Sequence, residues 1–138
     1  MKNVLILCLG LMAGCKSENV DTLALGSDFP LTVKQQAQIS DLQLTLTNVS
    51  DSRCPQNVNC FRAGEVVVDL SLNAQQSVKM CLGDCQVVGR KAPVSQDTVE
   101  VSVNQQKYLI VLKQVNPYPT TEKAPLEQYQ LQMQVLKK

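Results

Sequence analysis

Runs in which apolar and polar residues alternate constrain this chain more than any other feature of its sequence. Alternation with a period of two places every second side chain on one face, which is typical of a β-strand with one buried face. No stretch keeps a helical period between capping residues, so the pattern predicts an all-β fold. The apolar positions of the runs are Leu42, Leu44 and Leu46; Val66, Val68, Leu70 and Leu72; Val78, Met80 and Leu82; Val99, Val101 and Val103; Leu109, Val111 and Val115; and Tyr129, Leu131, Met133 and Val135.

Short segments of turn-forming residues separate these runs, among them Ser40-Asp41, Asn73-Ala74 and Gly83-Asp84. This spacing predicts about seven to eight short strands in an antiparallel β-sandwich or a flattened barrel. Residues 35–38 are expected to form an edge strand or a β-bulge rather than a helical turn. The chain has three tyrosines, two phenylalanines and no tryptophan, so aliphatic residues must build most of the core.

The N-terminus has the three parts of an export signal. Lys2 provides a positive charge, residues 4–12 are a short apolar region, and Ala13-Gly14 supply the small residues that a signal peptidase requires. The apolar run is far shorter than the roughly 20 residues that span a bilayer. Because the run ends as Leu11-Met12-Ala13-Gly14-Cys15, it resembles the lipobox of bacterial lipoproteins, with Met12 where leucine is usual.

The lipobox resemblance implies that residues 1–14 are removed as a signal peptide and that lipid is attached to Cys15. Residues 15–27 are then expected to be a lipidated tether reaching up to about 40 Å, and residues 28–138 a single β domain. Lys16 rather than aspartate follows the cysteine. By resemblance to the sorting rule of enteric-type bacteria, this implies an outer-membrane location facing the periplasm, with the lipid as the contact to the membrane.

The remaining cysteines are expected to form two disulfides. The lipobox resemblance implies that Cys8 is lost with the signal and that Cys15 is acylated, which would leave Cys54, Cys60, Cys81 and Cys85 in an oxidising compartment. Of the three possible connectivities, the local pairs Cys54 with Cys60 and Cys81 with Cys85 are favoured because small loops close most easily. The spacings do not favour a four-thiolate zinc site or a Cys-x-x-Cys redox pair, so neither a metal nor a cofactor is expected.

The segment from Asp51 to Gly64 carries a second distinctive pattern, Asp-Ser-Arg-Cys-Pro followed by Cys-Phe-Arg-Ala-Gly. It resembles a family of small exported bacterial proteins of uncharacterised function, many with lipoprotein signals, that carry Asp-Ser-Arg-Cys-Pro, a short insert and Cys-x-Trp-Ala-Gly. Pro117-Tyr118-Pro119 and Gln128-Tyr129 match later parts of the family pattern. Arg62 stands where the family commonly has tryptophan, so a stacking role would be absent or would pass to Phe61. The resemblance implies a β-rich exported module and no established activity.

Arg53, Arg62 and Tyr118 are the candidate binding residues. The two arginines flank the expected Cys54–Cys60 loop, where they either brace it against Asp51 and Glu65 or present guanidinium groups to an anionic partner. Tyr118 is either part of a recognition surface or a corner residue that covers the end of the core. Gly64 is expected to permit a bulge or a tight entry to the next strand rather than ligand access.

Composition narrows the classes of function. The chain has 13 basic and 12 acidic residues, so it lacks the positive surface that nucleic-acid binding requires. It has no histidine, no Gly-rich phosphate loop and no Gly-x-Ser-x-Gly elbow, so an enzyme is not expected. We expect a non-enzymatic, envelope-anchored lipoprotein that binds a protein or an envelope polymer. The alternatives are an inhibitor of a periplasmic or foreign hydrolase and a structural envelope component.

Acylation of Cys15 is directly testable. Mass spectrometry of the exported protein should find Cys15 at the N-terminus with the mass of about two to three acyl chains, because several chains are needed for firm anchoring. A Cys15→Ser variant should leave the membrane fraction. If Cys15→Ser stays with the membrane, or if the mature N-terminus carries no lipid, the anchor is wrong.

Overall fold

The computed structural model describes residues 20–138. The expected signal peptide, Cys8 and Cys15 lie outside the described residues. Nine strands make up most of the described chain: β1 (Val20–Thr22), β2 (Asp28–Thr32), β3 (Gln36–Ile39), β4 (Leu42–Asp51), β5 (Glu65–Leu72), β6 (Gln76–Gly83), β7 (Asp97–Val103), β8 (Gln106–Asn116) and β9 (Gln130–Lys137). Two 3₁₀ turns, Gln86–Val88 and Leu126–Gln128, lie in the connections. No helix among these residues is both long enough and apolar enough to cross a membrane.

The strands form two sheets, which confirms the all-β class. One sheet has the order β1-β3-β4-β5-β6, and the other has the order β2-β9-β8-β7. Every pairing is antiparallel except that of β1 with β3, which is parallel. The chain follows β3 to β6 as one meander and β7 to β9 as another, and β2 closes the second sheet beside β9. Gly83 bridges to Val94, so the end of β6 pairs with the segment that leads into β7.

The core lies between the sheets and contains most of the predicted alternating rows, together with residues of β2 and β3. In β4 the side chains of Leu42, Leu44 and Leu46 are at most 1% exposed, whereas the residues between them are more accessible. The rows of β5, β6, β7 and β9 also face this core. Burying each leucine contributes roughly 1.5–3 kcal/mol, so these rows hold the sheets face to face. Residues 36–39 form a strand, as expected for residues 35–38, but it is not an edge strand, because β1 pairs with its outer side.

The predicted face of β8 was wrong. The expected row was Leu109, Val111 and Val115, but the core receives Tyr108, Ile110 and Leu112 before a bulge shifts the register, and only then Val115. Tyr108 to Leu112 is an unbroken apolar run, so alternation gives no signal for which face is buried. The bulge between Leu112 and Gln114 then moves Val115 onto the core face.

The expected tether also differs from the structure. Residues 15–27 were expected to be a tether, yet Val20–Thr22 pair with Gln36 to Gln38 as β1. All three residues of β1 are exposed, so the strand has no buried face and leaves no alternating pattern in the sequence. Ordered contact with the sandwich therefore begins by Val20.

Candidate functional site

Three long connections lie at one end of the sandwich, because β4, β6 and β8 all run toward it. They are residues 52–64, 84–96 and 117–129, and together they are called the loop end here. Six large hydrophobic residues are exposed in the part of the chain that the structure describes. Four of them lie in the loop end: Val58, Phe61, Val87 and Tyr118. Most of the exposed large hydrophobic side chains of residues 20–138 therefore lie at this end.

The first loop is a stiff extension of the β4–β5 hairpin. The predicted disulfide between Cys54 and Cys60 is confirmed, with a Cα–Cα distance of 5.8 Å. Below it, the Ser52 amide donates to the Glu65 carbonyl and the Cys54 amide donates to the Ala63 carbonyl, each at 2.8 Å. The hairpin ladder thus continues into the loop. Phe61, next to the disulfide, is 104% exposed and projects into solvent.

Gly64 closes the base of the 52–64 loop and joins it to the 84–96 loop. Its φ is +76°, and a Cβ atom there would lie 2.1 Å from the Ser52 carbonyl oxygen, so only glycine fits. The Gly64 amide donates to Asp84 Oδ2 at 3.1 Å, and the Asp84 amide donates to the Gly64 carbonyl at 3.0 Å. Gly64 is therefore a tight entry to β5, as expected, and it also joins the loops at residues 52–64 and 84–96.

Arg53 lies inside a network that joins the two sheets. Its Nε and Nη2 donate to both oxygens of Asp51, at 2.9 and 2.7 Å. Its Nη1 donates to the Val115 carbonyl and its Nη2 to the Pro117 carbonyl, both at 3.0 Å. The Arg53 side chain is 10% exposed and that of Asp51 is 1% exposed. Of the two roles left open by the sequence, these contacts fit the brace.

Two tyrosines complete the network from opposite sides. Tyr118 lies against Arg53, with the guanidinium carbon 4.7 Å from the ring centroid, and remains 44% exposed. Tyr129 is 3% exposed, and its hydroxyl donates to Asp51 Oδ2 at 3.1 Å. Tyr129 rather than Tyr118 therefore covers the core at this end. Tyr118 adds exposed aromatic surface to the loop end.

Arg62 has a different environment from Arg53. Its Nε lies 3.6 Å from Asp84 Oδ2, and its side chain is 51% exposed. The second predicted disulfide, Cys81 with Cys85, is also confirmed and lies buried beside Val67. It holds the base of the loop that carries Val87, which is 77% exposed. Arg62 is accessible to a partner, whereas Arg53 is not.

The sequence did not identify Glu65 and Val87 as candidate binding residues. Both line two adjoining grooves, of about 270 Å³ and 190 Å³, on the outer face of β4 and β5 beneath the 84–96 loop. Glu65 occupies an outward-facing strand position, where a polar residue is ordinary. Because residues 84–90 cover it, Glu65 is only 8% exposed. The alternating pattern of β5 does not show that a loop covers this position.

Glu65, Cys81 and Cys85 are the acidic and cysteine side chains of residues 20–138 that come closest to a metal-ligand set. Their ligand atoms lie within 4.8 Å of one another. Both sulfurs are joined in the disulfide, however, so the thiolates that a metal would bind are not available. This cluster is a disulfide packed against a carboxylate.

Comparisons of the chain with protein-family models, with curated proteins and with solved structures find no match. The chemistry of the loop end is therefore the basis for assigning a function. It offers rigid loops, clustered apolar side chains, and an accessible arginine that is paired with an aspartate.

We predict that the two arginines differ in their effect on stability. Arg53→Ala should lower the free energy of unfolding by about 3–5 kcal/mol, because it leaves the buried Asp51 carboxylate without its counter-charge. Arg62→Ala should change it by less than about 0.5 kcal/mol, since Arg62 is half exposed and its ion pair is long. Urea unfolding of both variants measures this, and equal losses would contradict the assignment.

Tyr129 gives a test at high pH. Burial raises the pKa of its phenol above the usual 10.0, and the charge of Asp51 and the hydrogen bond to it act in the same direction, while Arg53 opposes them. A raised folded-state pKa gives stability that is present below the unfolded-state pKa and is lost as the pH rises through the folded-state pKa. The wild type should therefore lose stability more steeply than Tyr129→Phe above about pH 10. The difference between their tyrosinate absorbance titrations should have a midpoint above that value, and a midpoint at or below it would refute the network.

Proposed function

We propose that this chain is a lipid-anchored, non-enzymatic protein of the bacterial cell envelope whose loop end binds another protein. One observation carries the proposal: Phe61 is fully exposed on a loop that a disulfide closes. The lipobox resemblance of Leu11 to Cys15 and the resemblance to exported bacterial proteins support the envelope location. The oxidised cysteine pairs are consistent with an exported protein.

The clustering of exposed apolar groups supports a binding role. A soluble protein seldom gathers large exposed hydrophobic residues at one place without an interaction to serve. Phe61 and Tyr118 are aromatic, the class that dominates the energetic centres of protein interfaces. Hydrogen bonds, two disulfides and the Arg53 network already fix the loops that carry them. A partner therefore has little loop entropy to remove on binding.

A protein partner is favoured over an envelope polymer. Aliphatic Val58 and Val87 lie in the same loop end as the aromatic residues. Aliphatic groups are stabilised by burial against other apolar surface, which a folded protein provides. Arg62 and Asp84 supply charged groups among these residues, as is usual at the rim of an interface.

Inhibition of a hydrolase is a second form of this function, and the shape of the 54–60 loop favours it. A short disulfide-closed loop at the tip of a hairpin is suited to entering a concave active site. Its stiffness would lower the entropic cost of docking there. A structural envelope role has no comparable observation in its favour.

Photo-crosslinking at Phe61 tests the proposal. Replacing Phe61 with benzoylphenylalanine in intact cells should crosslink the chain to one envelope protein, which mass spectrometry identifies. With that partner purified, calorimetry should show that Phe61→Ser weakens binding at least about 30-fold, the size expected for an aromatic interface centre. If the partner is a hydrolase, its activity in the presence of this chain decides the inhibitor form.

Leu25→Ser is the matched control, because Leu25 is 40% exposed and lies outside the loop end. It should bind the partner as the wild type does. Both variants should keep the wild-type Tm, since neither side chain belongs to the core. If Phe61→Ser and Val87→Ser both bind as tightly as the wild type, the loop end is not the binding surface.

A further inference from the structure

Glu65 is a largely buried residue whose Oε2 receives no hydrogen bond from an N–H or O–H group of residues 20–138. The residue is 8% exposed, and its Oε1 accepts the Val87 amide at 3.3 Å. The group within reach of Oε2 is the Cys81 sulfur at 4.0 Å. That sulfur belongs to a disulfide and has no proton, so it cannot donate.

The other two well-buried carboxylates are fully partnered. Asp97, 4% exposed, accepts the Cys81 amide, the Thr98 amide and an Arg90 guanidinium nitrogen, all within 3.0 Å. Asp51 accepts both prongs of Arg53. Glu65 alone of the three has no ion pair within 4.0 Å in the described chain. A buried carboxyl group without a counter-ion is costly, so its place in this fold requires an explanation.

The carboxylate can be reached from solvent. Two grooves meet at Glu65, and Ser52, Glu65 and Val87 line both of them. The hydroxyl of Ser52 adds polar lining, and the apolar walls are Val67 and Val87. A long aliphatic side chain ending in a polar group matches this mixture, since its stem would contact the valines while its head pairs with the Glu65 carboxylate.

The charges around the grooves favour a cation. Arg62 pairs with Asp84 in one groove, and Lys79 pairs with Asp69 in the other. Each of these cations therefore has its own carboxylate. The negative charge that is left without a partner is Glu65.

We infer that the junction of the two grooves receives a lysine or arginine side chain of the protein partner, with Glu65 as its counter-ion. The inference rests on the proposed function in that the cation is part of a protein. Val87 belongs both to the grooves and to the exposed apolar set of the loop end. One partner surface, with a basic side chain beside an apolar area, would therefore engage both.

Nuclear magnetic resonance titration tests the pocket without a partner protein. The probes are acetyl-arginine-methylamide, acetyl-lysine-methylamide and acetyl-citrulline-methylamide, the last being a neutral analogue of arginine. The ¹⁵N-labelled chain carrying Cys15→Ser should show shifts at the Ser52, Glu65 and Val87 amides with at least one cationic probe. Its affinity for that probe should exceed that for citrulline at least tenfold, and the stronger of the two cations identifies the side chain.

Glu65→Gln should reduce the affinity for the cation at least tenfold, while Glu100→Gln, which removes an accessible carboxylate paired with Lys107 and Lys138, should not. The Tm of Glu65→Gln should be no lower than that of the wild type, because the amide keeps the acceptor for Val87 and removes an unpaired charge. Asp97→Asn should lower the Tm, since its charge is paired. Shifts that persist in Glu65→Gln, equal shifts with citrulline, no shifts, or a lower Tm in Glu65→Gln would each overturn the inference.

The titration with cationic probes and the binding measurements at Phe61 test the pocket and the proposed function independently. If the cationic probes do not bind but Phe61→Ser still loses the partner, the loop end binds protein without the Glu65 pocket. If the pocket binds cations but no partner crosslinks at Phe61, the proposed function falls and the pocket remains.

Discussion

The ion pair between Arg53 and Asp51 is the interaction on which the loop end depends. The disulfides and the Gly64 contacts fix the 52–64 and 84–96 loops, but they do not connect these loops to the 117–129 loop. Arg53 makes that connection, because its guanidinium binds Asp51 at the end of β4 and also the carbonyls of Val115 and Pro117 at the end of β8. Four directed hydrogen bonds from one rigid fork set distance and angle together, which a lysine could not do. The 117–129 loop is thereby positioned relative to the loops from the opposite sheet.

The fold could be predicted from the sequence where a strand has one solvent-exposed, polar face and one buried, apolar face. In β4, Leu44 lies between the polar residues Gln43 and Thr45, so the alternation identifies the buried face of the strand. The apolar rows of β5 and β9 identify their buried faces in the same way. β8 has apolar residues on both faces and a bulge, so its buried face depends on what packs against it. β1 is exposed throughout and forms by backbone pairing with β3. This pairing does not depend on which side chains β1 carries. Periodicity cannot detect either situation.

The candidate site was less predictable, because its residues differ in their neighbours rather than in their type. Arg53 and Arg62 flank the same disulfide and look equivalent in the sequence. One is enclosed by carbonyls more than 60 residues away along the chain, and the other stays at the surface. Glu65 and Asp97 are both acidic residues that open a strand, yet Asp97 accepts three hydrogen bonds, one of them from Arg90, whereas Glu65 accepts one, from the Val87 amide. Close cysteine spacing, in contrast, is a local property, so the disulfide pairs were predictable.

The early start of β1 limits how far the domain can move from a membrane. Pairing with β3 holds the chain from Val20 onward, so if Cys15 carries lipid, only residues 16–19 separate the anchor from the sandwich. At about 3.3–3.6 Å per residue, five steps cover less than about 20 Å. The 11 residues of β8 alone extend over about 36 Å. The linker is thus shorter than the longest strand of the domain. A lipid-anchored domain would therefore stay within a thin layer next to the bilayer. A partner would have to present its binding surface within that layer.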